Sequence, residues 1–151
     1  MLIRGDDLRG PEIVAFLAEH LDDMRAASPA ESCHVLDLDG LRKPEITFWS
    51  VWDGDLLVGC GALKELDPTH GEIKSMRTAA AYRGRGVASA MVGHIVDEAA
   101  TRGYRRLSLE TGSDEYFAPA RALYRKLGFT VSGPFGDYLA DPNSCFMTKA
   151  L

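Results

Sequence analysis

The dipeptide Asp53-Gly54 fixes the middle of this chain. It separates two runs, Ile46–Trp52 and Leu56–Leu66, that are rich in β-branched, aromatic and other apolar residues. Asp-Gly between two such runs signals a tight two-residue hairpin turn, so the runs pair antiparallel. Gly71–Thr78 then reads as a third strand of the same meander. Gly59 and Gly61 fall inside the second run, where glycine marks a bulge or a close approach by another element.

Helical periods flank this meander. Ile13, Phe16, Leu17, His20, Leu21 and Met24 recur at helical spacing, which predicts a helix over about 10–26. Pro11 suits its first turn and Asp6 or Asp7 offers an N-cap. Val87, Met91, Ile95 and Ala99 lie one turn apart, predicting a helix over 87–101 that ends before Gly103. Ala120, Leu123, Tyr124 and Leu127 share a face of a third helix over 118–127, stopped by Gly128. Leu2–Arg4, Arg106–Thr111, Phe129–Ser132 and Ser144–Lys149 read as further strands. Residues 36–41 fit a short helix or a loop equally well. The order β-α-(α)-β-β-β-α-β-α-β-β predicts an α/β domain spanning residues 1–151, a mixed sheet with helices on both faces.

Composition narrows the job. The chain has 151 residues and a formal net charge of −5. A net negative chain lacks the basic footprint that nucleic-acid phosphates require. An acidic field mildly favours cationic partners such as amines. No apolar run is long enough for a transmembrane helix, which argues against a membrane role. Cys33, Cys60 and Cys145 are odd in number and show no Cys-x-x-Cys spacing. They read as the reduced thiols of a cytoplasmic protein. No histidine pair has metal-ligand spacing, so no metal site is expected and the histidines read as exposed or satisfied.

Arg83-Gly84-Arg85-Gly86-Val87-Ala88 joins the third meander strand to a helix. Its glycines permit a sharp turn, and the helix behind it begins with free N–H groups and a positive dipole end. Such a junction suits phosphate or pyrophosphate. Ser89 stands where a dinucleotide fingerprint needs its third glycine, and no Gly-Lys-Ser/Thr follows, so the two commonest phosphate loops are excluded.

This segment fits the Arg/Gln-x-x-Gly-x-Gly/Ala motif and resembles the GNAT superfamily of acetyl-CoA-dependent N-acyltransferases. Ala120–Phe129 (Ala-Arg-Ala-Leu-Tyr-Arg-Lys-Leu-Gly-Phe) is similar to that family's second signature. The order and spacing of the elements agree along nearly the whole chain. Glu72–Thr78 and Leu107–Gly112 resemble a bacterial subgroup known mostly only as acetyltransferases.

The resemblance implies acetyl-CoA as co-substrate, with its pyrophosphate on Arg83, Gly84, Arg85, Gly86, Val87 and Ala88, and Ser89 close by. The pantetheine arm would pair with the backbone of Met76, Arg77 and Thr78, where one N–H would polarise the thioester carbonyl. Tyr124 stands at the position of the general acid. Glu72, eleven residues before Arg83, stands at the offset of a catalytic base and would share a strand face with Lys74, Met76 and Thr78, because side chains alternate with period two. Glu110 and ordered water are the alternatives. Phe117 replaces an Asn that helps to hold the cofactor arm in many members. Trp49 reads as core or as a pocket wall, Glu31, Ser32 and His34 as residues that could touch the acceptor, and Lys126 as lying near the adenosine phosphate. The resemblance implies an N-acetyltransferase acting on a small-molecule amine, with dimers common in the family. A non-catalytic acyl-CoA-binding or sensing module on the same fold is the rival reading, and a nucleotide-phosphate binder a weaker third. The acceptor stays open among amino acids, polyamines, aminoglycoside-like amines and protein termini.

Overall fold

A computed structural model describes residues Met1–Leu151. Seven strands form one sheet: β1 (Leu2–Gly5), β2 (Ile46–Asp53), β3 (Leu56–Asp67), β4 (His70–Thr78), β5 (Arg106–Gly112), β6 (Thr130–Ser132) and β7 (Ser144–Ala150). Their spatial order is β1-β2-β3-β4-β5-β7-β6. Every pairing is antiparallel except β4 with β5. Four helices accompany them: α1 (Pro11–Ala27), α2 (Leu38–Leu41), α3 (Val87–Thr101) and α4 (Ala118–Lys126). The ambiguous stretch 36–41 thus contains a single helical turn, capped by the Asp37 side chain accepting from the Gly40 N–H at 2.9 Å.

Two apolar layers hold the helices to the sheet. Val87, Met91, Ile95 and Ala99 of α3 and Tyr124 of α4 pack with Leu63, Ile73, Leu107, Leu109 and Met147 on one face. Ile13 and Leu17 of α1 and Leu41 of α2 pack with Phe48, Leu57, Cys60 and Ala62 on the other. Each fully buried Val, Leu, Ile, Phe or Met side chain among them contributes roughly 1.5–3 kcal/mol. The close approach signalled by Gly59 and Gly61 is that of α3: a Cβ at these positions would lie 2.6 Å from Val87 Cγ1 and 2.7 Å from Met91 Cγ.

Two local expectations are corrected. Gly10, in extended conformation, is the N-cap of α1, not Asp6 or Asp7. The aspartates are engaged nearby: Asp6 accepts from the Leu8 N–H and the Ser50 hydroxyl, and Asp7 from the Arg9 N–H. The strict alternation of β4 also fails. Ala62 faces Lys74 while Cys60 faces Arg77, so β4 carries one extra residue. Ser75 takes it up at φ +56°, a β-bulge. The bulge turns Met76 toward α3, where its sulfur lies against Gly61. Met76 therefore leaves the face of Glu72 and Lys74, and Arg77 points toward α1.

Candidate active site

The bulge and the single parallel pairing together open the sheet. β4 and β5 pair only from His70–Ile73 with Arg106–Leu109. Beyond that, Lys74–Thr78 and Glu110–Gly112 diverge, and their facing backbone edges have no ladder partner. Backbone N–H and C=O groups left without partners need a ligand or water. A cavity of about 670 Å³ occupies this gap and continues past the start of α3. Lys74–Thr78 line one side, and Leu109–Gly112, Phe117 and Tyr124 the other.

At one end lies the glycine segment. Gly84 and Gly86 have φ of +76° and +84°, the left-handed region that only glycine enters without strain. Gly86 is the N-cap of α3, and no side chain caps this helix. The N–H groups from Gly84 to Ser89 make no backbone hydrogen bond. Arg83, Gly84, Gly86, Val87, Ala88 and Ser89 all line the cavity, as does Lys126 at the end of α4. Uncapped N–H groups, a helix dipole and two cations make a site for phosphate. Arg85 alone of the segment stays outside the cavity, its guanidinium 4.9 Å from the Tyr82 ring centre.

Tyr124 stands in the middle, and the sequence around it explains its fixed position. The Gly128 N–H donates to Arg125 O and the Phe129 N–H to Tyr124 O, with Gly128 at φ +97°. This is a Schellman stop, in which the residue after the glycine packs on the last turn. Here Phe129 packs edge-on against Tyr124, with ring centres 5.9 Å apart. The Leu-Tyr-x-x-x-Gly-Phe pattern is thus a device for terminating α4 with the tyrosine held. Its ring is 7% exposed and lines the cavity. Burial pushes the phenol above its ordinary range, so it stays protonated. Phe117 starts α4 by lying over Gly112, whose missing Cβ leaves room for the ring. Arg121 ties the same helix to β5 by donating to Gly112 O and Asp114 O, both at 2.7 Å.

The far end is built by two segments distant in sequence. A 3₁₀ turn, Ala30–Ser32, meets the loop between β6 and β7, where the Ser32 hydroxyl donates to Asp141 Oδ2 at 2.6 Å. His34 packs edge-on against Tyr138 of that loop, 5.0 Å between centres. The Tyr138 hydroxyl donates to Glu72 Oε2 at 2.6 Å, and Lys74 Nζ donates to Glu72 Oε2 at 3.1 Å and to the Tyr138 hydroxyl at 2.9 Å. Glu72 is 2% exposed and does not line the cavity, whereas Lys74 does. Glu110 lines it as well and takes part in no ion pair. Burial pushes its carboxyl up to about 7, while the Ser144 hydroxyl and the Lys74 ammonium pull down and Glu72 and Asp141 push up.

Of the residues expected from the sequence, the cavity brings together Tyr124, Met76, Arg77, Thr78 and the glycine segment other than Arg85. Ser32 and His34 join it, while Glu31 does not. Trp49 is core, edge-on to His94 at 5.0 Å. The structure adds Tyr138 to the site and corrects the expectation for His20. Tyr138 sits in a loop without periodicity, so nothing in the sequence placed it over β4. His20 was expected to be satisfied or exposed, but it is 6% exposed with Nδ1 unpartnered, at the cavity wall. Burial, and Arg77 beside it, push it down to about 4, so it is neutral near pH 7. Arg77 itself pairs with Asp23 at 2.9 Å and Glu19 at 3.2 Å. No group of three or more His, Cys, Asp or Glu is arranged to hold a metal ion, and no helix is long and apolar enough to cross a membrane.

Comparison with known proteins agrees with this geometry. The model of the acetyltransferase (GNAT) family matches residues 13–129. The chain is 59% identical, over all of both proteins, to the uncharacterized N-acetyltransferase YsnE of Bacillus subtilis (strain 168). A Klebsiella pneumoniae structure assigned as an acyl-CoA N-acyltransferase superimposes with a TM-score of 0.82 at 27% identity, covering 99% of this chain and 97% of that one. An aminoglycoside 6'-N-acetyltransferase complexed with coenzyme A shares the fold, with a TM-score of 0.70 at 19% identity over 99% and 97% of the two chains. The parted strands, the uncapped glycine junction and the full-length matches agree, and the chain belongs to the acetyltransferase (GNAT) family of acetyl-CoA-dependent acyltransferases.

Proposed function

We propose that this protein transfers an acetyl group from acetyl-CoA directly to the primary amine of a small molecule. The observation that carries this reading is the gap between β4 and β5. It has an uncapped helix start suited to anions at one end, a buried tyrosine held protonated in the middle and a carboxyl that burial raises to about 7 at the other end.

The residues fit the co-substrate. Backbone N–H groups of Gly84–Ser89, with Arg83 and Lys126, suit the phosphates. The unpaired edge of Met76–Thr78 suits an extended amide-bearing arm. An N–H from that edge would polarise the thioester carbonyl. The three free cysteines suit a reducing, cytoplasmic setting.

Glu110 serves as the base in this reading, and Glu72 does not. Glu72 is enclosed by Lys74 and Tyr138, away from the cavity. An alkyl ammonium has a pKa of about 10.4 and must lose a proton before attack. Glu110 takes that proton. The amine nitrogen then bonds to the carbonyl carbon as the carbon–sulfur bond breaks. Tyr124 hydrogen-bonds the departing sulfur and gives it a proton, and the second proton lost by the nitrogen restores the phenol. The products are an amide and a free thiol. Tyr124→Phe tests the assignment: kcat should fall about 10²–10⁴-fold while CoA affinity holds. Undiminished turnover across pH would remove Tyr124 from the mechanism. CoA binding without transfer to any amine would favour a non-catalytic module.

A further inference from the structure

The acceptor end of the cavity carries charged side chains of both signs. Lys74, Arg77, Arg83 and Lys126 line the whole cavity, and Glu110 is its one lining carboxylate. Arg83 and Lys126 lie at the phosphate end. Lys74 and Arg77 remain, and Glu110 is the one lining acid beside them. Both cations are ion-paired, Lys74 with Glu72 and Arg77 with Asp23 and Glu19, so Glu110 is the lining acid that a substrate ammonium meets directly.

Lys74 differs from Arg77 in what it has left to give. The two terminal nitrogens of Arg77 are taken up by Asp23 and Glu19. Lys74 Nζ has three N–H groups. Two are used, on Glu72 Oε2 and the Tyr138 hydroxyl. These bonds hold the ammonium in one place and leave its third donor free. Lys74 follows directly after the last β4–β5 pair, Ile73 with Leu109, and Glu110 follows on the opposing strand. The two side chains therefore leave the parting strands side by side, on the same face. A free cationic donor beside a carboxylate base is complementary to a zwitterion.

We propose that the acceptor is an amino carboxylate, with its primary amine within a bond or two of a carboxylate, and that Lys74 is the specificity-determining residue that receives this carboxylate while Glu110 receives the ammonium. This rests on the acetyltransfer reading above and names its substrate class. Bonding both groups at once fixes the amine against the thioester, so the preference appears in kcat/KM. A decarboxylated analogue would leave the third N–H of Lys74 without its partner.

The test compares acetylation of common α-amino acids with that of the amines formed by their decarboxylation, together with spermidine and kanamycin. The wild-type protein should prefer at least one amino acid over its decarboxylated partner by about ten- to a hundredfold in kcat/KM, the worth of a charge-assisted hydrogen bond. Lys74→Met should collapse that ratio. Because Lys74→Met strands Glu72, the double variant Glu72→Gln/Lys74→Met, which leaves no uncompensated buried charge, should collapse it equally. Amines or spermidine turned over as well as the amino acids, or a ratio untouched in the double variant, would overturn the proposal. If no amine of any kind is turned over, it is the acetyltransfer reading that fails. Calorimetry on CoA-saturated protein then decides the pocket's preference alone: tighter binding of N-acetyl amino acids than of N-acetyl amines supports it, and equal binding overturns it.

Discussion

Replacing Glu110 with Gln separates the base from everything else in the site. Burial holds its carboxyl up at about 7. The ionised fraction is then about one-tenth at pH 6, half at pH 7 and nine-tenths at pH 8. The groups facing it are Ser144, Lys74, Glu72 and Asp141. For an amine at saturating concentration, kcat should fall about tenfold for each pH unit well below 7. The amine's own ionisation also produces a slope, so the profile is measured with acceptors of different basicity: an inflection belonging to Glu110 stays near 7 while the amine's moves. Glu110→Gln should lower kcat about 10²–10⁴-fold and abolish the stationary inflection. Stability gives an independent reading. Because the folded-state pKa lies above the ordinary glutamate value of 4.5, the contribution of this group is full below that value and lost as pH rises through about 7. Melting curves from pH 5 to 8 should show this decline in the wild type and a flatter course in Glu110→Gln. A variant that kept both its rate and its inflection near 7 would refute the assignment.

Glu72→Gln should act on stability instead. It breaks a buried ion pair with Lys74 and replaces the charged acceptor of Tyr138 with a neutral amide oxygen, a loss of about 3–5 kcal/mol by denaturant unfolding, and the inflection near pH 7 should remain. Gly86→Ala meets no atom within 4 Å but must hold φ +84°. It should cost about 1–2 kcal/mol in a melt and weaken CoA binding by titration. A Cβ at Gly112 would collide with the Phe117 ring. Gly112→Ala should destabilise by about 1–3 kcal/mol and lower kcat by shifting α4, and Phe117→Ala in the same chain should recover much of both. The coupling is read from a double-mutant cycle.

Nearly every element was legible in the sequence because its signal is local. Val87, Met91, Ile95 and Ala99 announce α3 by spacing alone, and the structure bounds it at Val87–Thr101. The Gly128-Phe129 stop is equally local, since its two hydrogen bonds close within one turn. The acceptor end was not legible, because it depends on long-range facts. One extra residue at Ser75 reverses the faces of β4, and no pattern in Glu72–Thr78 signals a left-handed serine there. The family offset pointed to Glu72, but a carboxylate's role depends on what surrounds it. Tyr138, 66 residues away, covers Glu72. Glu110, placed by a plain strand alternation, is the one left facing the cavity.

Direct transfer in that gap, with no acyl-enzyme, is the central claim, and Cys33 on the cavity wall gives it a concrete rival. The decisive measurement follows the acetyl group itself. The protein is incubated with isotopically labelled acetyl-CoA, with and without an accepted amine, and both intact protein and small products are weighed by mass spectrometry. The account expects one labelled amide for each free thiol released, and no label on the protein in either sample. Label on Cys33 that passes to the amine, or thiol released without amide, would contradict it.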